Sequence, residues 1–247
     1  MKINIVSFEE RYKIVYNRLC ESGFDVSLCT PSSVDLCDVL LLSVRRELSE
    51  SELEEIFTKT DEKTVVLCGE DKRVGMLFGG KIIDYSKFDD FLQKNAHLTA
   101  EATVSFLHSL TKESLFGKRV FVSGYGRIGS DLCDILKCLG AQVCANARSE
   151  SKISKMEKKG ILPSPLVDAV NADIIINTVP SPIFSKELID KIPQNTVIIE
   201  LASHPYGFEE MDRVTLCSGL PGKALPLSAA AVICDTVASI LSETGKV

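Results

Sequence analysis

The 247-residue sequence has no tryptophan, only three histidines, no Cys-x-x-Cys pair and no long block of basic residues. Without tryptophan, any aromatic stacking falls to its 11 phenylalanines and five tyrosines. Three scattered histidines and unclustered cysteines do not make a zinc site, so no metal is expected. A net charge of −6 without a basic stretch argues against nucleic acid as the main partner. No run of about 18 or more apolar residues suggests a membrane span. The opening Met1-Lys2-Ile3-Asn4-Ile5-Val6 enters a strand directly and lacks the apolar core and cleavage site of a signal peptide. The nine cysteines are an odd number with no pairing pattern, which favours buried free thiols and a reducing, cytoplasmic setting.

What is present is an ordinary hydrophobic fraction of 45%, laid out as apolar runs alternating with helical patterns. Strands are expected at 2–8, 24–29, 38–43 and 64–68, with helices at 9–22 and after Ser49. At Ser49, Glu52 stands three residues on, and Leu53, Ile56 and Phe57 follow at helical spacing. Continuous rather than alternating apolar strands indicate a parallel sheet covered on both faces. A second α/β region follows, with strands at 141–147, 173–177, 196–201 and 213–217. The expected fold class is therefore α/β with two Rossmann-like lobes, the second a doubly wound parallel sheet. Its divisions are an N-terminal α/β substrate lobe at 1–98, a connecting helix at 99–116, a nucleotide-binding domain at 117–224 and a C-terminal helix at 225–247. That last helix, apolar from 228 to 241, is expected to pack back on the first lobe. Thr99 is read as the N-cap of the connecting helix. Thr99 and Glu101 either face the cleft between the lobes or are plain helix-start chemistry.

The most informative stretch is Lys118-Arg119-Val120-Phe121-Val122-Ser123-Gly124-Tyr125-Gly126-Arg127-Ile128-Gly129. It reads as a β-branched strand running into Gly-x-Gly-x-x-Gly and then into a helix at 130–139. Gly124 allows the tight turn, Gly126 lets the backbone approach a pyrophosphate, and Gly129 lets the helix pack on the sheet. The first N–H groups of that helix, around Arg127 and Ile128, lie at the positive end of its dipole and attract phosphate. At the end of the next strand, where an NAD enzyme usually carries Asp or Glu for the ribose, stand Ala147-Arg148-Ser149. An arginine and a hydroxyl suit a 2′-phosphate, so NADP is expected in preference to NAD. The alternative is that Arg148 and Ser149 merely begin the basic helix at 151–159. Thr178-Val179-Pro180 and Ala202-Ser203 follow strand ends at the carboxyl edge, where ligands bind, and complete the expected cofactor set.

Taken in order, these residues resemble those of the dipicolinate synthase family, in its A subunits. The resemblance is strongest from Ile82 onward. It runs through Ile82-Ile83-Asp84-Tyr85, Asn95-Ala96, Thr99-Ala100-Glu101, the glycine loop, Leu139-Gly140-Ala141, Ala147-Arg148 and Asp173-Ile174-Ile175-Ile176-Asn177-Thr178-Val179-Pro180. It ends with Leu201-Ala202-Ser203, Pro205 and Gly219-Leu220-Pro221-Gly222-Lys223. The chain departs from the family at Leu98, Ala102, His204, Tyr206, Ser218 and Leu227, and its first lobe is shorter than usual. The resemblance implies oxidation of dihydrodipicolinate, or a hydrated precursor, to dipicolinate in sporulating bacteria. It leaves room for a second kind of synthase chain as partner and for a homo-oligomer.

A dianionic dicarboxylate needs cationic or N–H-rich anchors, and a proton must leave as the hydride departs. Arg11, Lys223 and His204 are the candidate anchors, and His204 or Glu101 the candidate base. Each has a plainer reading, in which Arg11 and Lys223 are surface side chains and His204 packs on Pro205. Two other functions stay open. One is a dehydrogenase or reductase of another small carboxylate such as a 2-hydroxy acid. The other is a non-catalytic NADP-binding subunit.

Overall fold

The computed structural model describes residues 1–243. These divide into two compact units, residues 1–95 with 221 onward, and residues 96–220.

The first unit opens with β1 (Lys2–Val6), α1 (Glu10–Glu21) and β2 (Asp25–Leu28). There follow β3 (Val39–Leu42), α2 (Glu50–Phe57), β4 (Val65–Cys68), α3 (Lys72–Leu77) and β5 (Lys81–Asp84). The strands pair in parallel in the order β2-β1-β3-β4-β5. Every residue of β3 and of β4 is buried, as a parallel strand covered on both faces requires. Helix α2 begins as its sequence specifies: Ser49 Oγ accepts the Glu52 N–H at 3.2 Å, and the Glu52 carboxylate accepts the Ser49 N–H at 2.7 Å. The strand β5 and the helix α3 carry no strong local pattern and were not expected.

Two tyrosines 73 positions apart tie this unit together. Tyr12 donates to Tyr85 Oη at 2.5 Å, Tyr85 donates to the Leu42 carbonyl at 3.2 Å, and Tyr12 Oη accepts the Val44 N–H at 2.8 Å. Both hydroxyls are thereby satisfied, as buried polar groups must be. Burial pushes both phenols above their ordinary pKa.

Helix α4 (Asp89–Thr111) runs unbroken for 23 residues, which corrects the reading of Thr99 as an N-cap. Thr99 lies inside the helix, and its carbonyl accepts the Thr103 hydroxyl at 2.7 Å. A Thr followed by acidic and apolar residues looks like a helix start. Here the start is ten residues earlier, where Asp89 and Asp90 complement the dipole.

The second unit contains β6 (Arg119–Ser123), α5 (Arg127–Cys138), β7 (Gln142–Asn146), α6 (Glu150–Lys158) and β8 (Leu162–Pro163). It continues with β9 (Ile174–Asn177), α7 (Lys186–Ile189), β10 (Val197–Glu200) and β11 (Val214–Leu216). Its six strands are parallel in the order β11-β10-β9-β6-β7-β8. The order reverses between β6 and β9, as it does at the switch point of a dinucleotide-binding sheet. The core on one side gathers Phe121, Ile175, Phe184, Ile198 and Phe208, with the Phe184 and Phe208 rings stacked 4.4 Å apart.

After the short α8 (Leu220–Ala224), α9 (Pro226–Glu243) belongs to the first unit and packs along α1, as expected. Among the described residues it is the one helix long and apolar enough to cross a membrane, although no such span was expected from the sequence. Ala230, Ile233, Val237 and Leu241 are nonetheless fully buried in this unit.

Candidate functional site

Register brings the last residues of four adjacent strands into one row. Ser123 of β6 lies beside Asn146 of β7 and Asn177 of β9, and Asn177 lies beside Glu200 of β10. This row closes the carboxyl edge of the sheet at the point where the strand order reverses, the position at which open α/β sheets bind ligands.

The glycine turn leaves β6 at this edge. Gly124 has φ +92°, a left-handed conformation that disfavours side chains. A Cβ there would lie 2.5 Å from Thr178 Oγ1 and 2.7 Å from Val179 Cγ2. At Gly129 a Cβ would lie 2.2 Å from the Gly124 carbonyl oxygen. The loop and the first turn of α5 are therefore pressed together, and the turn after β9 is pressed against both. Gly126 differs: a Cβ there meets nothing within 4 Å, and no side chain caps α5, whose N-cap it is. The open space lies at the start of the helix, whose dipole and N–H groups draw phosphate. The residues present fit a dinucleotide pyrophosphate.

The expected cofactor residues are placed as follows. Gly124, Gly126, Arg127, Ile128, Gly129, Thr178, Val179 and Pro180 come from the adjoining ends of β6 and β9, and Thr178 Oγ1 donates to the Ser123 carbonyl at 2.8 Å. Arg148 and Ser149 follow β7, exposed, and the Ser149 hydroxyl lies 2.8 Å from that of Ser151. Ala202 and Ser203 follow β10, and the Ala202 N–H donates to the Glu200 carboxylate at 2.8 Å.

The candidate catalytic residues are divided over the two units. Glu101 of α4 and His204 belong to the second, and both are exposed. The His204 ring meets Tyr206 edge-on with centroids 5.6 Å apart. Lys223, in α8, is exposed and belongs to the first unit. Arg11, also there, is only 3% exposed, so it is no surface side chain. Its Nε lies 2.8 Å from one Glu9 carboxylate oxygen, and its Nη2 donates to the other at 2.9 Å. Ser43 donates to the same carboxylate at 2.9 Å. A Cβ at Gly222 would come within 3.1 Å of both Arg11 and Glu9 side chains. The Arg11 charge is thus already matched by a carboxylate.

Three residues have structural partners that the sequence does not signal: Glu9, Asn177 and Glu200. Glu200 is fully buried at the end of Val197-Ile198-Ile199. Burial pushes its carboxyl above the ordinary range, while N–H groups of Gly207, Asn177 and Ala202 oppose that shift. The available signal was a single carboxylate ending an apolar strand.

Residues 88–204 match the family model for the NAD binding domain of D-isomer specific 2-hydroxyacid dehydrogenases. Fold and site together define a two-unit α/β protein whose second unit is built as a Rossmann-type dinucleotide-binding domain, the kind the matching family model describes. Within that class the chain is similar to the A subunit of dipicolinate synthase. It is 29% identical to the Bacillus subtilis (strain 168) protein over 173 residues, a match covering 66% of this chain and 58% of that relative. The crystal structure of the Bacillus halodurans protein superposes with a TM-score of 0.82 at 23% identity, covering 97% of each chain. That of the Bacillus subtilis protein gives 0.80 at 22% identity, covering 98% of this chain and 96% of the other.

Proposed function

We propose that this chain is an NADP-linked oxidoreductase of the dipicolinate synthase type, oxidising dihydrodipicolinate or its hydrated precursor to dipicolinate in the cytoplasm of sporulating cells. The observation that carries this reading is the 173-residue likeness to the dipicolinate synthase protein. The glycine turn packed against Thr178 and Val179 supports its cofactor half.

The nicotinamide, when bound, supplies a hydride acceptor, and aromatisation of the ring supplies driving force. Gly126, Arg127, Ile128 and Gly129 receive the pyrophosphate on backbone N–H groups. Arg148 and Ser149 receive the 2′-phosphate, and Thr178 to Pro180 with Ala202 and Ser203 shape the nicotinamide side. Lys223, exposed, offers its ammonium to a substrate carboxylate, and Arg11, already paired with Glu9, shapes its surroundings in the first unit. His204 or Glu101 takes the proton, both being exposed and able to exchange it with water.

Nicotinamide fluorescence on titration with NADPH tests the cofactor half. Turnover of dihydrodipicolinate with NADP, with and without a second synthase chain, tests the rest. Arg148→Asp should weaken NADP binding by roughly 1.5–3 kcal/mol, or about ten- to a hundredfold, because a charged hydrogen bond is lost and a like charge placed at the phosphate. NAD affinity should change little. Equal affinities of the variant and the parent for NADP would return the site to NAD.

A second reading is a dehydrogenase acting on another small carboxylate such as a 2-hydroxy acid, favoured by the family match over residues 88–204. Turnover of pyruvate or glyoxylate with NADPH, and none of dihydrodipicolinate, would establish it. Binding of NADPH without turnover of either substrate class would mark a cofactor-binding chain that works only with a partner.

A further inference from the structure

We propose that Glu200 is a positioning residue for the nicotinamide half of the dinucleotide, acting through the 201–207 loop and Asn177. The role rests on the dinucleotide reading above and deepens it.

Glu200 is 0% exposed, so it touches neither solvent nor substrate directly. Its Oε1 accepts Asn177 Nδ2 at 2.7 Å and the Ala202 N–H at 2.8 Å, and its Oε2 accepts the Gly207 N–H at 2.7 Å. All three partners are neutral N–H donors. Such an all-acceptor position suits a carboxylate and no amide, because an amide would turn an NH2 group against a donor. One carboxylate thus holds both ends of a loop, residues 202 and 207, that carries Ser203 and His204 between them.

The constraint passes on to β9. Asn177 Nδ2 also donates to the Val179 carbonyl at 2.9 Å, and Asn177 Oδ1 accepts the Val179 N–H at 3.2 Å. The side-chain amide therefore closes the turn through Thr178 and Val179, the turn that presses on Gly124. Gly207 locks the far side, since a Cβ there would lie 2.2 Å from Asn177 Nδ2. From Glu200 through Asn177 to Val179, a chain of contacts fixes the ends of β10 and β9 beside the glycine turn. Gly126, at the pyrophosphate end, has no part in this chain of contacts, which reaches α5 only at Gly129, where a Cβ would lie 3.3 Å from Thr178 Oγ1. Losing the carboxylate should accordingly loosen one half of the coenzyme site and spare the other. A carboxylate that merely stapled β9 to β10 would show no such division.

The test is Glu200→Gln, measured against the parent protein with two ligands, NADPH and 2′-phospho-ADP-ribose, which lacks the nicotinamide. The expected result is at least about a tenfold rise in the NADPH dissociation constant, from the unmatched buried donors, with the fragment's constant held within about twofold. In the free protein, amide hydrogen exchange at Ala202 and Gly207 should quicken while the circular dichroism spectrum stays the same. Equal weakening of both ligands, or of neither, would overturn the role. Should the parent bind neither NADPH nor NADH, the dinucleotide reading falls and this role with it. A parent that binds NADPH and a variant that binds it equally well sink the role alone. If Glu200→Gln does not fold, Gly207→Ala, which keeps the carboxylate and displaces Asn177, must give the same split between ligands, and its absence overturns the proposal.

Discussion

Gly129→Ala is expected to lose NADPH binding by at least about a hundredfold, or roughly 2.7 kcal/mol, and to melt earlier than the parent. The added methyl lies 2.2 Å from the Gly124 carbonyl oxygen, so the contact is with backbone and no rotamer relieves it. Either α5 lifts from the loop or the loop opens, and both moves displace the N–H groups that receive the pyrophosphate. Overpacking of this kind costs about 1–3 kcal/mol. In a chain of this size that is a fall of roughly 2–12 °C in melting temperature.

Gly126→Ala is the paired control, because its methyl meets nothing within 4 Å. Its stability cost should be about 1 kcal/mol or less, the difference between glycine and alanine at an N-cap. Its NADPH affinity should still fall, since the methyl occupies the space left for the ligand. Calorimetric melting and fluorescence titration of both variants decide the matter. If Gly129→Ala bound NADPH as the parent does, the glycine turn would not be the pyrophosphate site.

The second large effect concerns the buried pair in the first unit. Glu9→Gln should destabilise the chain by about 3–5 kcal/mol, because it leaves the Arg11 guanidinium buried without its counter-charge. At this chain length that corresponds to roughly 6–20 °C in melting temperature. Replacing the arginine too, in Glu9→Gln with Arg11→Met, should recover most of the loss, since removing both charges of a buried pair is often neutral. Urea denaturation of the two variants measures the difference. A cost below about 1 kcal/mol for Glu9→Gln would mean that Arg11 does not depend on Glu9, and would restore it as a direct anchor for a substrate carboxylate.

The uneven legibility of this chain has a physical cause. Gly124, Gly126 and Gly129 were readable because a strand, a tight turn and a helix start are contiguous, and each glycine answers a local steric demand. The capping box at Ser49 and Glu52 was readable for the same reason. Thr99 misled because helix-start chemistry and helix-interior chemistry share residue types, and only the unbroken ladder of α4 tells them apart. Glu200 leaves no local signal because its partners lie up to 23 positions away and share no periodicity with it. Arg11 was visible as a candidate but its burial was not, since an arginine on an amphipathic helix reads as exposed until the unit closes over it.

The sequence by itself therefore determined the α/β alternation, the glycine turn and the basic character at Arg148. These depend on neighbours within a few positions, where backbone sterics and burial period act. Only the tertiary structure decided the two strand orders and the row of Ser123, Asn146, Asn177 and Glu200 along one sheet edge. It also decided the neutralisation of Arg11 by Glu9 and the choice of α1 as the helix in the first unit that α9 packs on, where Cys234 Sγ lies 3.9 Å from the Val15 carbonyl, 219 positions away. Parallel strands joined by crossovers bring distant residues into register without leaving a local trace, and polar groups buried that way must then find partners wherever the fold has put them.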